Sequence, residues 1–380
     1  MRTKIKQKLR QETVLIIAVL LAVFSAFIIP PDARYPGYID FRTLAILFSL
    51  MTVMAGLQRQ NVFDHIGQVL LKRTKNTPGL LFVLVGLCFF CSMLITNDVS
   101  LITFVPFAFI VLHSLGDKAF RQLAIPVVCM QTIAANLGSM LTPIGNPQNL
   151  YLYGKSGMSM GEFLRLMLPY TLISLLLLAA WILFLCRKMN FGDSQSTFLP
   201  EDSAVHPMNR SRILMYAALF AVCLMTVVRI LPYPVMLLTV LLAVLITDRH
   251  TLRQVDYSLL LTFSAFFVFI GNLGRIPAFS EWIQSIIAGH EVPVAILASQ
   301  ITSNVPAALL LSGFTSNVQA LIIGTNLGSL GTLIASMASL ISYRQIATRM
   351  PDRKGAYFAA FTISNVLFLA VLTGIWILIR

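Results

Sequence analysis

The chain has 380 residues, of which 57% are hydrophobic and only 11% are charged. Charged residues make up about a quarter of soluble domains, so this composition excludes an ordinary soluble protein and predicts a polytopic membrane protein. The 28 Lys and Arg outnumber the 15 Asp and Glu, which gives a net charge of +13. In a membrane protein such an excess sets the topology, and we predict no nucleic-acid partner.

The apolar runs, taken along the chain, predict the membrane crossings. Residues 1–12 are basic, and the run 14–29 after them is interpreted as a retained first helix. Further runs cover 41–57, 79–96, 99–113, 123–141, 166–186, 213–231, 235–247, 257–273, 292–314, 318–341 and 357–379. Several are too short, or too polar in the middle, to be plain spans of about 20 residues. We therefore expect an all-α membrane fold with interrupted helices.

The distribution of basic residues predicts the orientation. The runs 79–113 and 292–314 are each expected to enter and leave the membrane on one side, as re-entrant hairpins. With the N-terminus in the cytoplasm, 21 of the Lys and Arg lie inside and 7 lie outside. This asymmetry follows the positive-inside rule. We predict a multi-pass protein of the inner or plasma membrane, with a cytoplasmic N-terminus and an external C-terminus.

A polar segment, 187–212, divides the chain into two halves. It is rich in Ser, Asp and Pro, which is typical of a linker, and the topology places it in the cytoplasm. The N-terminal repeat, 1–186, holds a hairpin at about 79–113 and a broken helix at about 122–149. The C-terminal repeat, 213–380, holds a hairpin at about 292–314 and a broken helix at about 318–341.

Three matched segments, in the same order in both halves, indicate an internal repeat. The segment from Asp40 to Leu57 is similar to the segment 256–273, and Thr96-Asn97 is similar to Ser303-Asn304. The third pair begins at Asn136 and Asn326, and each member reads Asn-Leu-Gly-Ser. The predicted topology gives the repeats opposite orientations, which is typical of secondary transporters. Asp40 and Asp256 are interpreted as N-caps of the helices that follow them.

Polar residues at membrane depth mark the candidate site. A helix can be interrupted in the bilayer only where the freed backbone groups face protein or a water-filled cavity. The segment 136–147 carries two glycines, two prolines and two asparagines, which predicts such a break. In the matching segment of the second half, Gly324 and Gly328 stand four positions apart, which is also typical of helix packing, so packing stays open as an alternative. Asp98 is an acid deep in an apolar region, where a functional carboxylate and a turn-capping carboxylate are both possible.

These segments resemble a known group of transporters. Residues 144–149, Ile-Gly-Asn-Pro-Gln-Asn, resemble the I-G-T-P-P-N signature of the ion-transporter superfamily, which includes citrate transporters, arsenite permeases and one class of sodium/proton antiporters. The tips at residues 96–98 and 303–305 resemble its paired S-N-T hairpin tips. The second half is most similar to the branch of arsenite permeases and antiporters. The family also implies homodimers and an elevator motion of the hairpin domain.

The resemblance implies where ions and substrate bind. It implies cation sites, with Na⁺ as a possible ligand at Asn97 and Asn304, at these residues: Thr96, Asn97, Asp98, Gly138, Ser139, Ser303, Asn304, Gly328 and Ser329. It implies substrate contacts at Asn136, Thr142, Asn146, Asn326 and Thr332. Two departures stand out. Asp98 replaces a neutral residue of the tip, and residues 335–339 lack the second Pro-Asn signature of dicarboxylate transporters.

The sequence therefore predicts a transporter and not an enzyme. The chain lacks the H-E-x-x-H motif of metalloproteases and the G-x-x-x-x-G-K-[ST] motif of nucleotide-binding loops. We predict a secondary active transporter that couples Na⁺ or H⁺ to a small anion, a carboxylate or an oxyanion, with no cofactor beyond the coupling ion. Alternatives are a sodium/proton antiporter without organic substrate, an arsenite or antimonite efflux permease, and a membrane-embedded enzyme or channel.

Overall fold

The computed structural model of the chain describes residues 13–74, 76–189 and 209–379. The basic segment 1–12 and most of the expected linker, 190–208, lie outside these residues. The described chain is helical, with no strand. The first half contains α1 (Thr13–Ile28), α2 (Phe41–Arg59), α3 (Val62–Leu71), α4 (Thr77–Ile95), α5 (Asn97–Ser114), α6 (Asp117–Ser139), α7 (Pro147–Ser156) and α8 (Met160–Met189). The second half contains α9 (Arg210–Val227), α10 (Tyr233–Thr247), α11 (Tyr257–Leu273), α12 (Pro277–Ile287), α13 (Glu291–Thr302), α14 (Asn304–Ser312), α15 (Val318–Leu327), α16 (Met337–Arg349) and α17 (Lys354–Ile379).

The two halves repeat the same succession of helices. Helices α2 and α11 each begin after an aspartate whose side chain caps the first turn. Asp40 accepts a hydrogen bond from the backbone N–H of Thr43, and Asp256 accepts one from Leu259, both at 3.0 Å. The predicted capping roles are therefore confirmed. A short helix follows each of these two, and α12 is bent by 105° from α11. Its counterpart in the first half is α3.

Length and composition confirm a polytopic membrane protein. Six helices of the described chain are long and apolar enough to cross a membrane, and the bent pair α11 and α12 would make a seventh. Both hairpin helices of the first half, α4 and α5, are among the six. The second hairpin is shorter, with helices of 12 and 9 residues.

Helix packing separates two groups. In the first group α1 packs along α11, and α2 packs against α9 and α10. In the second group the hairpin helices α4 and α5 pack on α6, and α13 and α14 pack on α15. The groups meet where α11 contacts α14 and where α2 contacts α7. This junction is where the candidate site lies.

A polar clasp holds α1 and its following loop against α11. The Asn272 side-chain amide donates to Ser25 Oγ at 3.0 Å and to the Tyr35 hydroxyl at 2.8 Å. Arg275 lies 2.9 Å from Asp32 in the loops beyond these helices. The Arg34 backbone N–H donates to Asp32, and this bond, with the nearby Arg275 charge, lowers the pKa of the Asp32 carboxyl.

Contacts made by two arginines agree with the predicted assignment of loops to the two sides of the membrane. Arg229 donates to the backbone oxygens of Gly157 and Tyr153, all on the side predicted to be external. Arg353 donates to the backbone oxygen of Arg121, and both lie on the side predicted to be cytoplasmic. These contacts join residues assigned to the same side. Which of the two sides faces the cytoplasm stays a prediction.

Candidate functional site

Each hairpin turns at one residue with left-handed backbone torsions. Thr96 has φ 71° and ψ 153°, and its counterpart Ser303 has φ 76° and ψ 154°. A positive φ is uncommon for residues other than glycine, and such backbone strain is concentrated at functional sites. The turn lets a new helix start at Asn97 and at Asn304, inside the protein.

Each hairpin tip touches the broken helix of its own repeat. The backbone N–H of Asn97 donates to the oxygen of Gly145 at 3.3 Å, and that of Asn304 donates to Ala335 at 3.0 Å. The acceptors lie in the two breaks, between α6 and α7 and between α15 and α16. The predicted hairpins and helix breaks therefore come together in matching pairs.

Four helices of the hairpin tips and helix breaks begin around one cavity at this point, and α11 begins beside them. The cavity is lined by the first residues of α5, α7, α14 and α16, by the start of α11 and by two residues of α1, and it holds about 650 Å³ of empty space, partly open to solvent. Helix N-termini carry partial positive charge and unpaired N–H groups, which favour anions. Among the described residues, the lining contains no Lys or Arg. Its members are Val14, Leu15, Asn97, Asp98, Pro147, Gln148, Asp256, Ser258, Leu259, Thr262, Ser303, Asn304, Val305, Pro306, Ser336 and Met337.

Two carboxylates face the same cavity. Asp98 comes from the first hairpin tip, and Asp256 comes from the start of α11. Asp98 Oδ1 is buried and has no hydrogen-bond partner in the described chain. One Asp256 oxygen caps α11, as described above. The cavity therefore combines the partial positive charge of four helix N-termini with two acids, an arrangement suited to binding an anion together with a cation or a proton.

Gln148 supplies a buried side-chain amide to the cavity. It is 1% exposed, and neither its nitrogen nor its oxygen makes a hydrogen bond within the described residues. An unsatisfied buried polar group costs about 1–3 kcal/mol, so a native protein retains one where water or a ligand satisfies it. Gln148 also occupies the position of the second proline in the family signature. The amide can donate and accept, and it therefore suits an oxygen-bearing ligand.

Asparagines behind the cavity join the two repeats. Asn136 Oδ1 accepts from the Asn97 amide at 3.0 Å and from Ser336 Oγ at 2.9 Å. The Asn326 amide donates to Asn149 Oδ1 at 2.6 Å. Each of these side chains is buried. The first hairpin tip is thereby positioned by residues from both halves of the chain.

The expected site residues fall into two sets. Four line the cavity, namely Asn97, Asp98, Ser303 and Asn304. The others stand behind the cavity. Five are buried in the hydrogen-bonded network of asparagines and serines, namely Asn136, Ser139, Asn146, Asn326 and Ser329. Gly138 and Gly328 pack against the hairpins, Thr96 forms the first hairpin turn, and the hydroxyls of Thr142 and Thr332 donate to hairpin backbone oxygens. Their assignment as cation or substrate contacts stays a prediction.

The two glycines of the expected cation sites stand where hairpin and broken helix come closest. A Cβ on Gly138 would lie 2.0 Å from the Phe89 backbone oxygen, and one on Gly328 would lie 2.7 Å from Ser299 Oγ. Both distances are far inside van der Waals contact. Close packing of helices therefore requires these glycines, whether or not an ion binds beside them.

Five lining residues that carry polar groups were not predicted from the sequence to belong to the site: Gln148, Asp256, Ser258, Thr262 and Ser336. Gln148 carries a signal, because it departs from the signature proline. Ser336 is the repeat counterpart of Asn146 and could have been found from the alignment of the two halves. Asp256 was interpreted only as a cap, and its second role depends on the packing of α11 beside the hairpin tips.

The sequence also contains the hydrolase-type motif G-x-S-x-G, at residues 157–161. Its Ser159 caps helix α8. The backbone N–H and the hydroxyl of Ser159 bond to Glu162 at 2.7 and 2.9 Å, and the Glu162 N–H returns a bond to Ser159 Oγ. This reciprocal pattern is a capping box and accounts for the serine without a nucleophilic role.

Comparison with known proteins gives one consistent result. Residues 5–319 match the sequence model described as citrate transporter. An uncharacterized transporter of Methanocaldococcus jannaschii is 34% identical over 308 residues, which cover 80% of this chain and 81% of the relative. Inner membrane protein YbiR of Escherichia coli is 28% identical over 337 residues, 87% of each chain. A silicon efflux transporter of Oryza sativa is 35% identical over 153 residues, 40% of this chain and 30% of the relative.

Proposed function

This chain belongs to the citrate transporter family and is a membrane transporter rather than an enzyme, and on that premise we propose that it is a secondary active transporter. It couples Na⁺ or H⁺ to the movement of a small anion, a carboxylate or an oxyanion, by alternating access. The observation that carries this proposal is the cavity between the two hairpin tips, where four helix N-termini meet two carboxylates.

The charges of the cavity supply a physical reason for coupling. Because no Lys or Arg of the described chain lines it, an anion would be held by backbone N–H groups, by the Gln148 amide and by the helix N-termini. Asp98 and Asp256 would repel that anion when both are ionised. A proton or Na⁺ bound beside the tips, near Asn97 and Asn304, removes this repulsion. Ion binding then becomes a condition for anion binding.

Alternating access is supported by the position of the cavity. Its lining comes from the hairpin group on one side and from α1 and α11 on the other. A movement of one group against the other would open the site toward the opposite membrane face, as inverted repeats allow. We propose that the protein works as a homodimer in the inner or plasma membrane, with the N-terminus in the cytoplasm and the C-terminus outside.

Two further functions remain as alternatives. The unpartnered Asp98 oxygen favours a sodium/proton antiporter in which this carboxylate alone exchanges the two ions. The match to a silicon efflux transporter favours export of a small oxyacid, and the family resemblance adds arsenite or antimonite to that class. The antiporter differs from the leading proposal because it needs no anion, and the exporter differs because it carries an oxyacid outward.

Proteoliposomes of the purified protein distinguish the antiporter from the anion transporter. A Na⁺ gradient is imposed with no organic anion or oxyanion present, and the lumenal pH is followed with a trapped dye. We expect no pH change until a carboxylate or an oxyanion is added. A pH change without any anion, abolished by Asp98→Asn, would replace the leading proposal by the antiporter.

A matched control separates the role of Asp98 from a general loss of charge. Asp117→Asn removes an acid whose side chain is 87% exposed at the start of α6. We expect it to leave transport unchanged. If Asp98→Asn also leaves both ion and anion transport unchanged, Asp98 has no role in either function.

A further inference from the structure

A second charged cleft lies away from the transport cavity, at the ends of α2, α9 and α10. It is an open space of about 800 Å³. Its lining, which we call the basic cleft, consists of Arg59, Arg212, Leu245, Ile246, Thr247, Asp248, Arg249 and His250. None of these residues lines the transport cavity, so the proposed function does not account for the cleft.

Asp248 fixes two of the arginines in place. Its side chain is 3% exposed and lies 2.6 Å from Arg59 and 3.6 Å from Arg212. The Tyr216 hydroxyl donates to Asp248 at 3.3 Å, and Arg59 also donates to Thr251 at 3.1 Å. Both arginine side chains remain partly exposed, Arg59 at 30% and Arg212 at 41%. The two arginines are therefore held in position at the wall of the cleft in the absence of a ligand.

The charge of the basic cleft is positive after its internal ion pairs are counted. Asp248 neutralises one unit, while Arg59, Arg212 and Arg249 contribute three. Arg249 is exposed, and within residues 13–74, 76–189 and 209–379 no acid other than Asp248 lines the cleft. The cleft can therefore attract an anion.

The cleft also lies at the edge of an apolar surface. Leu245 and Ile246, in the last turn of α10, are 52% and 81% exposed and line the same space. A position where an apolar helix surface ends in arginines corresponds to the headgroup level of a bilayer. The predicted topology places this end of α10 in the cytoplasmic leaflet, where anionic lipids are concentrated.

We propose that the basic cleft binds the phosphate headgroup of an anionic phospholipid, with Leu245 and Ile246 along its acyl chains. Arg212 and Arg249 contact the phosphate, while Arg59 stays paired with Asp248 and links the lipid to the end of α2. This assignment rests on the membrane location of the chain and is independent of the transported substrate.

The test uses purified full-length protein in mixed micelles that contain phosphatidylglycerol or phosphatidylcholine. Lipid retention is measured by native mass spectrometry, and thermal unfolding is followed in parallel. We expect one phosphatidylglycerol to be retained per chain and to raise the unfolding temperature above the value in phosphatidylcholine. Because an arginine near the membrane surface contributes about 1 kcal/mol, Arg249→Gln should weaken retention about fivefold, and adding Arg212→Gln should weaken it about 25-fold.

The control is Arg344→Gln, which removes an exposed arginine of α16 on the same predicted side of the membrane. It should leave retention unchanged. Arg59 is kept in every variant, because removing it would leave the buried Asp248 without its closest partner. Equal retention of phosphatidylglycerol by the wild type and the Arg212→Gln/Arg249→Gln variant would overturn the proposal. Inorganic phosphate that binds with the same dependence on the arginines and displaces no lipid would overturn the lipid as the occupant.

Discussion

The two hairpin tips have nearly the same backbone and different chemistry. Thr96 and Ser303 differ by 5° in φ and by 1° in ψ, and each following asparagine donates to the break of its own repeat. The next residue is Asp98 in the first tip and Val305 in the second. In the paired breaks, Gln148 corresponds to Ala338. The first repeat therefore contributes a carboxylate and a free amide where the second contributes apolar side chains.

This difference separates what the fold requires from what a ligand requires. Matching torsions, glycines and asparagines are needed twice, because each repeat must break its helices inside the membrane. Asp98 and Gln148 are needed by neither break, since the second repeat forms the same geometry without them. Residues present on one side of the pseudosymmetry are therefore the best candidates for ion and substrate specificity. The following changes test that comparison.

Moving the carboxylate from one tip to the other has the largest expected effect. Since hydrogen bonds to charged groups contribute about 1.5–3 kcal/mol, Asp98→Val should lower ion-coupled transport by about 10- to 100-fold. Val305→Asp, added to Asp98→Val, should restore part of the rate, because Val305 lines the same cavity. The rate is measured as initial uptake into proteoliposomes. Full activity of Asp98→Val would show that the asymmetry of the tips has no functional role.

The paired glycines test the shared part of the fold. Gly138→Ala pushes a methyl group against the Phe89 backbone oxygen, and overpacking of this kind costs about 1–3 kcal/mol. Gly328→Ala first meets the Ser299 hydroxyl at a longer distance, so it should cost less. Thermal unfolding in detergent gives both values. A larger loss for Gly328→Ala would contradict the contact distances.

The paired asparagines test whether both tips bind the coupling ion. Asn97→Ala removes a bond to Asn136 of about 1 kcal/mol and should raise the half-saturating ion concentration about fivefold. Among the described residues, the Asn304 side chain accepts one hydrogen bond, a long one of 3.4 Å from Ser303 Oγ, so Asn304→Ala should raise the half-saturating ion concentration less. Ion titrations of transport by the two variants provide the measurement. If neither variant shifts the ion dependence, the cation-site assignment is wrong.

Gln148→Met has the smallest expected effect on transport and an opposite effect on stability. Loss of a neutral hydrogen bond should weaken the apparent affinity for substrate about threefold. The ligand-free protein should become more stable, because an unsatisfied buried amide is removed. Gln131→Met is the control. Its amide donates to the backbone oxygens of Leu84 and Phe104, so its removal should lower stability. Destabilisation by Gln148→Met would indicate a packing role instead.

The positions of the breaks could be predicted from the sequence. Glycine, proline and asparagine inside apolar runs cannot be explained by lipid-facing helices, and their repetition fixed which segments correspond. The structure confirms the caps at Asp40 and Asp256 and brings Asn97 and Asn304 to one cavity. Local patterns were sufficient because the bilayer penalises every unpaired backbone group.

The composition of the cavity could not be predicted in the same way. Asp256 and residues 14–15 reach it only because α1 and α11 pack together and meet the hairpin group. Gly138 and Ser139 illustrate the opposite case. Small and polar residues suit both ion binding and close helix packing, and their patterns look alike in a sequence. The contact with Phe89 shows that packing constrains Gly138.

The bond between Asn136 and Ser336 has a consequence for biosynthesis. The two residues are 200 positions apart, and the acceptor is made first. At about 5–20 residues per second, the ribosome needs about 10–40 s to reach the serine. During that interval the first half resides in the membrane with a buried amide oxygen that lacks one of its two final donors. The nascent first half is therefore an incomplete assembly until its second half inserts beside it, and quality-control proteases of the membrane would have that period in which to recognise it.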